Sequence, residues 1–147
     1  STRELWQQGN RPIISAMVET NKSGNKAITY DLVVINSGSR PATNIKLHLS
    51  NKESFQQCLT ENKSSLSNSI LRCFDENTVI PLLVNGEKIS NSFGATSSES
   101  KDSTWKNGSA FDIKITYQDL EGKNYRSRVR LFIKDSQAFA GSKWENK

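Results

Sequence analysis

The chain has 147 residues, one domain's worth, with 34% hydrophobic residues, 24% charged residues and a formal net charge of +5. That apolar share supplies one modest core, no window approaches the ~20 apolar residues of a membrane-spanning helix, and no secretory signal is present. The charge is local: Glu121 to Lys134 holds Lys123, Arg126, Arg128, Arg130 and Lys134 against Glu121 alone, which argues against the broad basic field with stacking aromatics of a nucleic-acid binder.

Ser1 to Gly9 (STRELWQQG) pairs Ser1 with Glu4 in a capping-box pattern before Leu5 and Trp6, and predicts a short helical turn. Residues 1–10 are expected to form an N-terminal helical or linker segment, 11–134 the folded domain and 135–147 a tail without a period. The chain opens at Ser1 without a methionine, so the expectation is of a fragment whose anchor or signal lies upstream. Pro12 to Glu19 reads as the first strand. Asn21 to Asn25 carries turn chemistry, with Gly24 free to take positive φ. Lys26 to Asn36 (KAITYDLVVIN) is the clearest strand: Ile28, Tyr30, Leu32 and Val34 share one face, and Val33 and Ile35 make the other face apolar at its far end, as in a central strand.

Ser37 to Ala42 is a turn. In Thr43 to Ser50, Ile45, Leu47 and Leu49 point inward, while Lys46, His48 and Ser50 point outward. Asn51 to Asn77 is a long polar insert with scattered apolar residues, expected to hold a short helix or irregular strand. Thr78 to Val84 is a strand, and Pro81 argues for an edge position or a bulge. Asn85-Gly86 predicts a type I′ hairpin with Lys88 to Phe93 as the returning strand. Gly94 to Thr104 (GATSSESKDST) reads as a flexible loop by composition.

The last hairpin is the most legible. Phe111, Ile113, Ile115 and Tyr117 alternate with polar residues, and so do Tyr125, Ser127, Val129, Leu131 and Ile133. A three-residue loop, Leu120-Glu121-Gly122 with Gly122 left-handed, joins them and pairs Asp112 with Arg130, Lys114 with Arg128, and Thr116 with Arg126. About seven short strands with one long polar insert predict an all-β, antiparallel, immunoglobulin-like β-sandwich, with a barrel as the alternative.

Tyr30 to Leu49 (YDLVVINSGSRPATNIKLHL) resembles a pattern of bacterial immunoglobulin-like domains, in which a strand ends in Asn-x-Gly, a Pro-Ala turn follows and the next strand opens with Asn and an aliphatic residue. Here these are Asn36, Gly38, Pro41, Ala42, Asn44 and Ile45. Trp6 before Arg11-Pro12 is similar to the junction in small membrane-anchored proteins of that group, and Tyr117 to Tyr125 (YQDLEGKNY) is similar to their Y-x-D-x-x-G-x-x-Y hairpin. The resemblance implies a sandwich tethered through a segment absent from this chain. Its soluble domain would stand in the periplasm or another extracytoplasmic space rather than the cytoplasm. It does not specify an activity.

The chemistry-bearing residues point to binding rather than catalysis. His48 is the only histidine and reads as a solvated surface residue. No serine nucleophile elbow or phosphate-binding glycine loop appears, and Asp119 and Glu121 lack the acidic spacing of a calcium loop. Neither a cofactor nor a metal is expected. Cys58 and Cys73 are expected to be bridged in an oxidising compartment and reduced otherwise. Trp6, Trp105 and Trp144 fall outside the best strands, and Trp105 is expected to pack over one end of the sandwich. Arg126, Arg128 and Arg130 stand ~7 Å apart on one strand face, with Lys114 beside them. Such a row suits carboxylates or phosphates, or it is a solvated face that blocks edge-to-edge pairing. Two expectations follow. One is a non-enzymatic binding or scaffolding domain of a membrane-anchored protein. The other is a soluble adaptor or sensor that takes an anionic ligand or acidic protein partner on the arginine row.

Overall fold

A strand that alternates apolar and polar side chains gains most when its apolar face is covered by a second sheet. The computed structural model describes residues 9–23, 27–60, 70–97, 104–106 and 108–134. Within them lie β1 (Ile14–Ser23), β2 (Ala27–Asn36), β3 (Ala42–Leu49), helix α1 (Lys52–Cys58), β4 (Ile80–Leu83), β5 (Lys88–Ser97), β6 (Ala110–Gln118) and β7 (Asn124–Phe132). They form two antiparallel sheets, ordered β1-β2-β5 and β4-β3-β6-β7. The fold is an all-β sandwich. Residues 1–8 of the helical turn expected at Ser1 to Gly9, with Trp6, the turn residue Gly24, the centre of the insert at 61–69, the loop at 98–103 and the tail from 135 with Trp144 lie outside the described residues.

The inner faces meet in one core, to which β2 gives Tyr30, Leu32 and Val34, β3 gives Ile45 and Leu47, and β6 gives Phe111, Ile113 and Ile115. β2 is central in its sheet, and Val33 is buried on its other side, which is why this strand is apolar on both faces. Val129 is only partly covered because β7 is an edge strand. Pro81 sits on β4, at the opposite edge.

Inside the insert, Asn51 caps α1 by accepting the N–H groups of Glu53 and Ser54 at 2.9 and 3.2 Å. The helix drops Phe55 into an aromatic cluster with Phe74, Phe93, Trp105 and Phe111, at centroid separations of 5.0–6.4 Å. Trp105 is buried, and its Nε1 donates to the Phe93 carbonyl at 2.6 Å.

Asn36 locks the corner predicted at Ser37 to Ala42. It is fully buried, accepts the N–H groups of Ile13 and Gly38 at 3.2 and 2.9 Å, and donates to the carbonyls of Arg40 and Leu83 at 2.8 and 3.0 Å. Its amide thus ties three chain segments and both sheets. A Cβ on Gly38 would stand 2.2 Å from the Arg11 carbonyl oxygen, so glycine is required there by close approach.

Two sequence expectations are corrected. Asn85-Gly86 is a turn, with Glu87 N–H bonded to Val84 O at 3.0 Å, but it does not make a hairpin. Only Gly86, the second central residue, has positive φ, at 83°, the pattern of a type II rather than a type I′ turn. Type II geometry splays the flanking strands, and β4 joins β3 while β5 joins β2. The fourth strand thereby lies beside the third, unlike the order of constant-type immunoglobulin domains. The second correction is that Gly94 to Ser97 is strand rather than loop, because β5 continues to pair with Ala27–Thr29. The register places Phe93 and Gly94 together opposite Tyr30, a bulge that Gly94 accommodates at φ +78°.

Candidate functional site

The hairpin at the end of the domain is in the expected register, with nine consecutive pairs from Ala110↔Phe132 to Gln118↔Asn124. Its loop closes as predicted: Asp119 N–H bonds Lys123 O at 3.1 Å and Gly122 takes φ 85°. The Asp119 carboxylate builds this tip. It accepts the N–H groups of Glu121 and Lys123 at 2.9 Å each and the Tyr125 hydroxyl at 3.1 Å. Burial pushes its pKa up, but those three bonds and the Arg40 charge outweigh it and hold the carboxyl below the usual carboxylate range. Tyr125 stacks on Tyr117 at 5.5 Å. Tyr117, Asp119, Gly122 and Tyr125 occupy the four fixed positions of the Y-x-D-x-x-G-x-x-Y pattern, and here all four shape the hairpin tip.

This frame presents Arg126, Arg128 and Arg130 outward, all exposed. Lys114 lies directly opposite Arg128 and Thr116 opposite Arg126. Asp112 neutralises one end by a paired contact with Arg130 at 2.9 and 3.2 Å, which lowers the Asp112 pKa. Among the described residues, Arg126, Arg128 and Lys114 have no carboxylate partner.

The face is larger than the sequence revealed. β3 lies on the far side of β6, with His48 opposite Lys114 and Lys46 opposite Thr116. Rows therefore cross the sheet as His48–Lys114–Arg128 and Lys46–Thr116–Arg126. His48 Nε2 bonds Thr116 Oγ1 at 2.9 Å. Its pKa is lowered by partial burial first, then by Lys114 and Lys46, with Glu76 opposing. The imidazole thus senses the positive potential of the face. Lys46 and His48 had a signal in the sequence, their outward alternation, but nothing local placed β3 beside β6. At the tip end, Asn44 holds φ 50° in a bulge and bonds Gln118, which bonds Asn124, at 2.8 and 2.9 Å. An amide ladder thereby bounds the basic field.

Apart from this face, a concavity of about 280 Å³ opens between the edges at β4 and β5, walled by Leu32, Val34, Leu47, Ile80 and Ile89, with Arg72, Cys73 and Asn91 also lining it. It falls just short of the ~300–1,000 Å³ of ordinary ligand pockets. Cys58 and Cys73, expected to be bridged in an oxidising compartment and reduced otherwise, are both free, buried thiols here. They turn to different neighbours. Cys58 Sγ donates to the carbonyls of Ser54 and Ala110 at 3.3 and 3.4 Å, and Cys73 Sγ accepts from Asn91 at 3.1 Å. Burial pushes the Cys73 thiol up, so it is a poor nucleophile. Among the described residues no group of three or more His, Cys, Asp or Glu side chains could hold a metal ion, and no helix is long and apolar enough to cross a membrane.

A family described as "Domain of unknown function (DUF8453)" matches the chain over residues 1–137. No curated protein matches it.

Proposed function

The chain belongs to this family of domains of unknown function, and from that premise we propose that it is a non-catalytic binding domain whose working surface is the basic outer face of β3, β6 and β7. One observation carries the reading: Lys114 and Arg128 are directly opposed across two strands, and among the described residues neither has a carboxylate partner. Like charges in directly opposed positions destabilise a sheet, and an acidic partner offsets that cost. The ligand class is a carboxylate-rich protein segment, for which guanidinium forks and ammonium groups at strand spacing are suited. The resemblance to membrane-anchored bacterial proteins supports reading the chain as the soluble part of a tethered molecule, with its partner recruited beside the membrane.

The test is calorimetric titration with a short glutamate-rich peptide. Binding should weaken steeply as added salt shortens the ~8 Å physiological screening length. It should be lost in the triple variant Arg126→Gln/Arg128→Gln/Arg130→Gln, whose exposed positions leave the fold intact. Equal binding by the triple variant, or no binding by the native chain at low salt, overturns the reading.

A further inference from the structure

Backbone groups alternate along an antiparallel pair, so every second residue of an edge strand turns its N–H and C=O away from its neighbour. Two bonds set the phase on β7: Asp119 N–H to Lys123 O at 3.1 Å, and Ile133 N–H to Ser109 O at 2.8 Å. The register between them is unbroken. Tyr125, Ser127, Val129 and Leu131 therefore bond to β6. Asn124, Arg126, Arg128, Arg130 and Phe132 direct their backbone donors and acceptors away from β6, to the side where no described strand pairs and where β1 of the other sheet lies nearest. The residues with outward backbone groups are thus the residues that supply the arginine row. A further coincidence lies on the inner side, where Tyr125, Ser127 and Val129 are only partly covered.

We propose that the open edge of β7 takes up an extended acidic segment of a partner protein as a fifth strand beside β4-β3-β6-β7. This deepens the basic-face reading and rests on it. Main-chain bonds to Arg126, Arg128 and Arg130 supply affinity, and the side chains supply selection. Residues of the incoming strand that face the arginines recur every second position, so glutamate or aspartate belongs there. The residues between them turn inward over the half-covered Val129 and are small or apolar. Arg130 already engages Asp112, so the acidic positions opposite Arg126 and Arg128 matter most. A second copy of this chain is disfavoured as the occupant, because β7 against β7 would bring two arginine rows together.

The probe is a seven-residue peptide, Glu-Thr-Glu-Val-Glu-Thr-Glu, compared with two forms N-methylated at one or the other set of alternate amides. Charge is unchanged by methylation, but one form loses the donors that would face β7. Affinity should fall about tenfold or more for that form alone, and the unmodified peptide should slow amide exchange at Arg126, Arg128 and Arg130. If all three peptides bind equally and those amides stay unprotected, strand addition is wrong while the basic face remains a binding surface. If none binds at low salt, both fail. Dimerisation of Arg126→Gln/Arg128→Gln/Arg130→Gln, with no peptide binding by the native chain, would assign the row to guarding the edge.

Discussion

Lys114 on β6 and Arg128 on β7 occupy directly opposed positions, with His48 of β3 on the other side of Lys114. They fall in the phase of the ladder whose backbone groups point away from each other, where facing side chains approach most closely. Lys114→Glu should therefore stabilise the domain by about 0.2–1 kcal/mol, read as a higher urea midpoint at an unchanged slope, while weakening capture of a glutamate-rich peptide. A variant that loses both stability and binding would mean that Lys114 supports the sheet instead of serving the surface.

His48 supplies a pH dependence. Its pKa lies below 6.5 because of partial burial, then Lys114 and Lys46, with Glu76 pulling the other way. The folded chain thus holds this proton less well than the unfolded chain. Stability should decline as pH falls through the ordinary imidazole value and level off below the folded one. An acidic ligand reverses the local field and favours the imidazolium, so affinity should rise as pH drops from about 7.5 to 5.5. Isothermal titration across that range should show proton uptake on binding. His48→Gln should flatten the profile, and a profile unchanged by that substitution would remove His48 from the surface.

Asp119 sets the acid limit of the hairpin. Its pKa is depressed, so its contribution is present above the unfolded carboxyl value and is lost as pH falls through the lower folded value. Asp119→Ala leaves the N–H groups of Glu121 and Lys123 and the Tyr125 hydroxyl without this acceptor. The cost should be about 1–3 kcal/mol at pH 7. Chemical denaturation should show the gap between native and variant chains narrowing below about pH 4.

Gly94 and Gly108 offer a matched comparison, since both have φ +78°. An alanine Cβ at position 108 meets nothing within 4 Å, whereas at position 94 it would stand 2.9 Å from Trp105 Nε1 and 3.0 Å from Thr104 Cβ. Gly108→Ala should cost only the backbone strain, roughly 1–2 kcal/mol. Gly94→Ala should cost clearly more and shift tryptophan emission to the red as the indole loses its seat. Equal losses would show that Trp105 yields freely.

The arginine row was legible because β6 and β7 are joined by a short loop, and alternation fixes both faces once the loop is known. The central place of β2 was legible from Val33 and Ile35, and the edge place of β4 from Pro81. Lys46 and His48 could not be assigned to the same face, because the β3–β6 pairing bridges a long insert and leaves no local mark. The end of β5 is not legible in the sequence, since Gly94, Ala95, Thr96 and Ser97 have loop composition, and their strand geometry comes from pairing with β2 and from Trp105 filling the space above Gly94. At Asn85-Gly86 the residue pair identifies a turn but not whether both strands stay in one sheet.

The handover at Asn85-Gly86 also governs how the chain assembles. Three pairs of consecutive strands form, β1–β2, β3–β4 and β6–β7, of which the first and last are local hairpins. β4 must instead reach back to β3 across α1 and the insert, and β5 must reach back past both to β2. Contacts between segments far apart in the chain are entropically costly to close and come late. Folding should therefore start from two preformed ribbons, with the basic ribbon of β6 and β7 arranged before the sandwich is complete. By the same argument the pairings of longest sequence separation, β3 with β6 and β5 with β2, should close last.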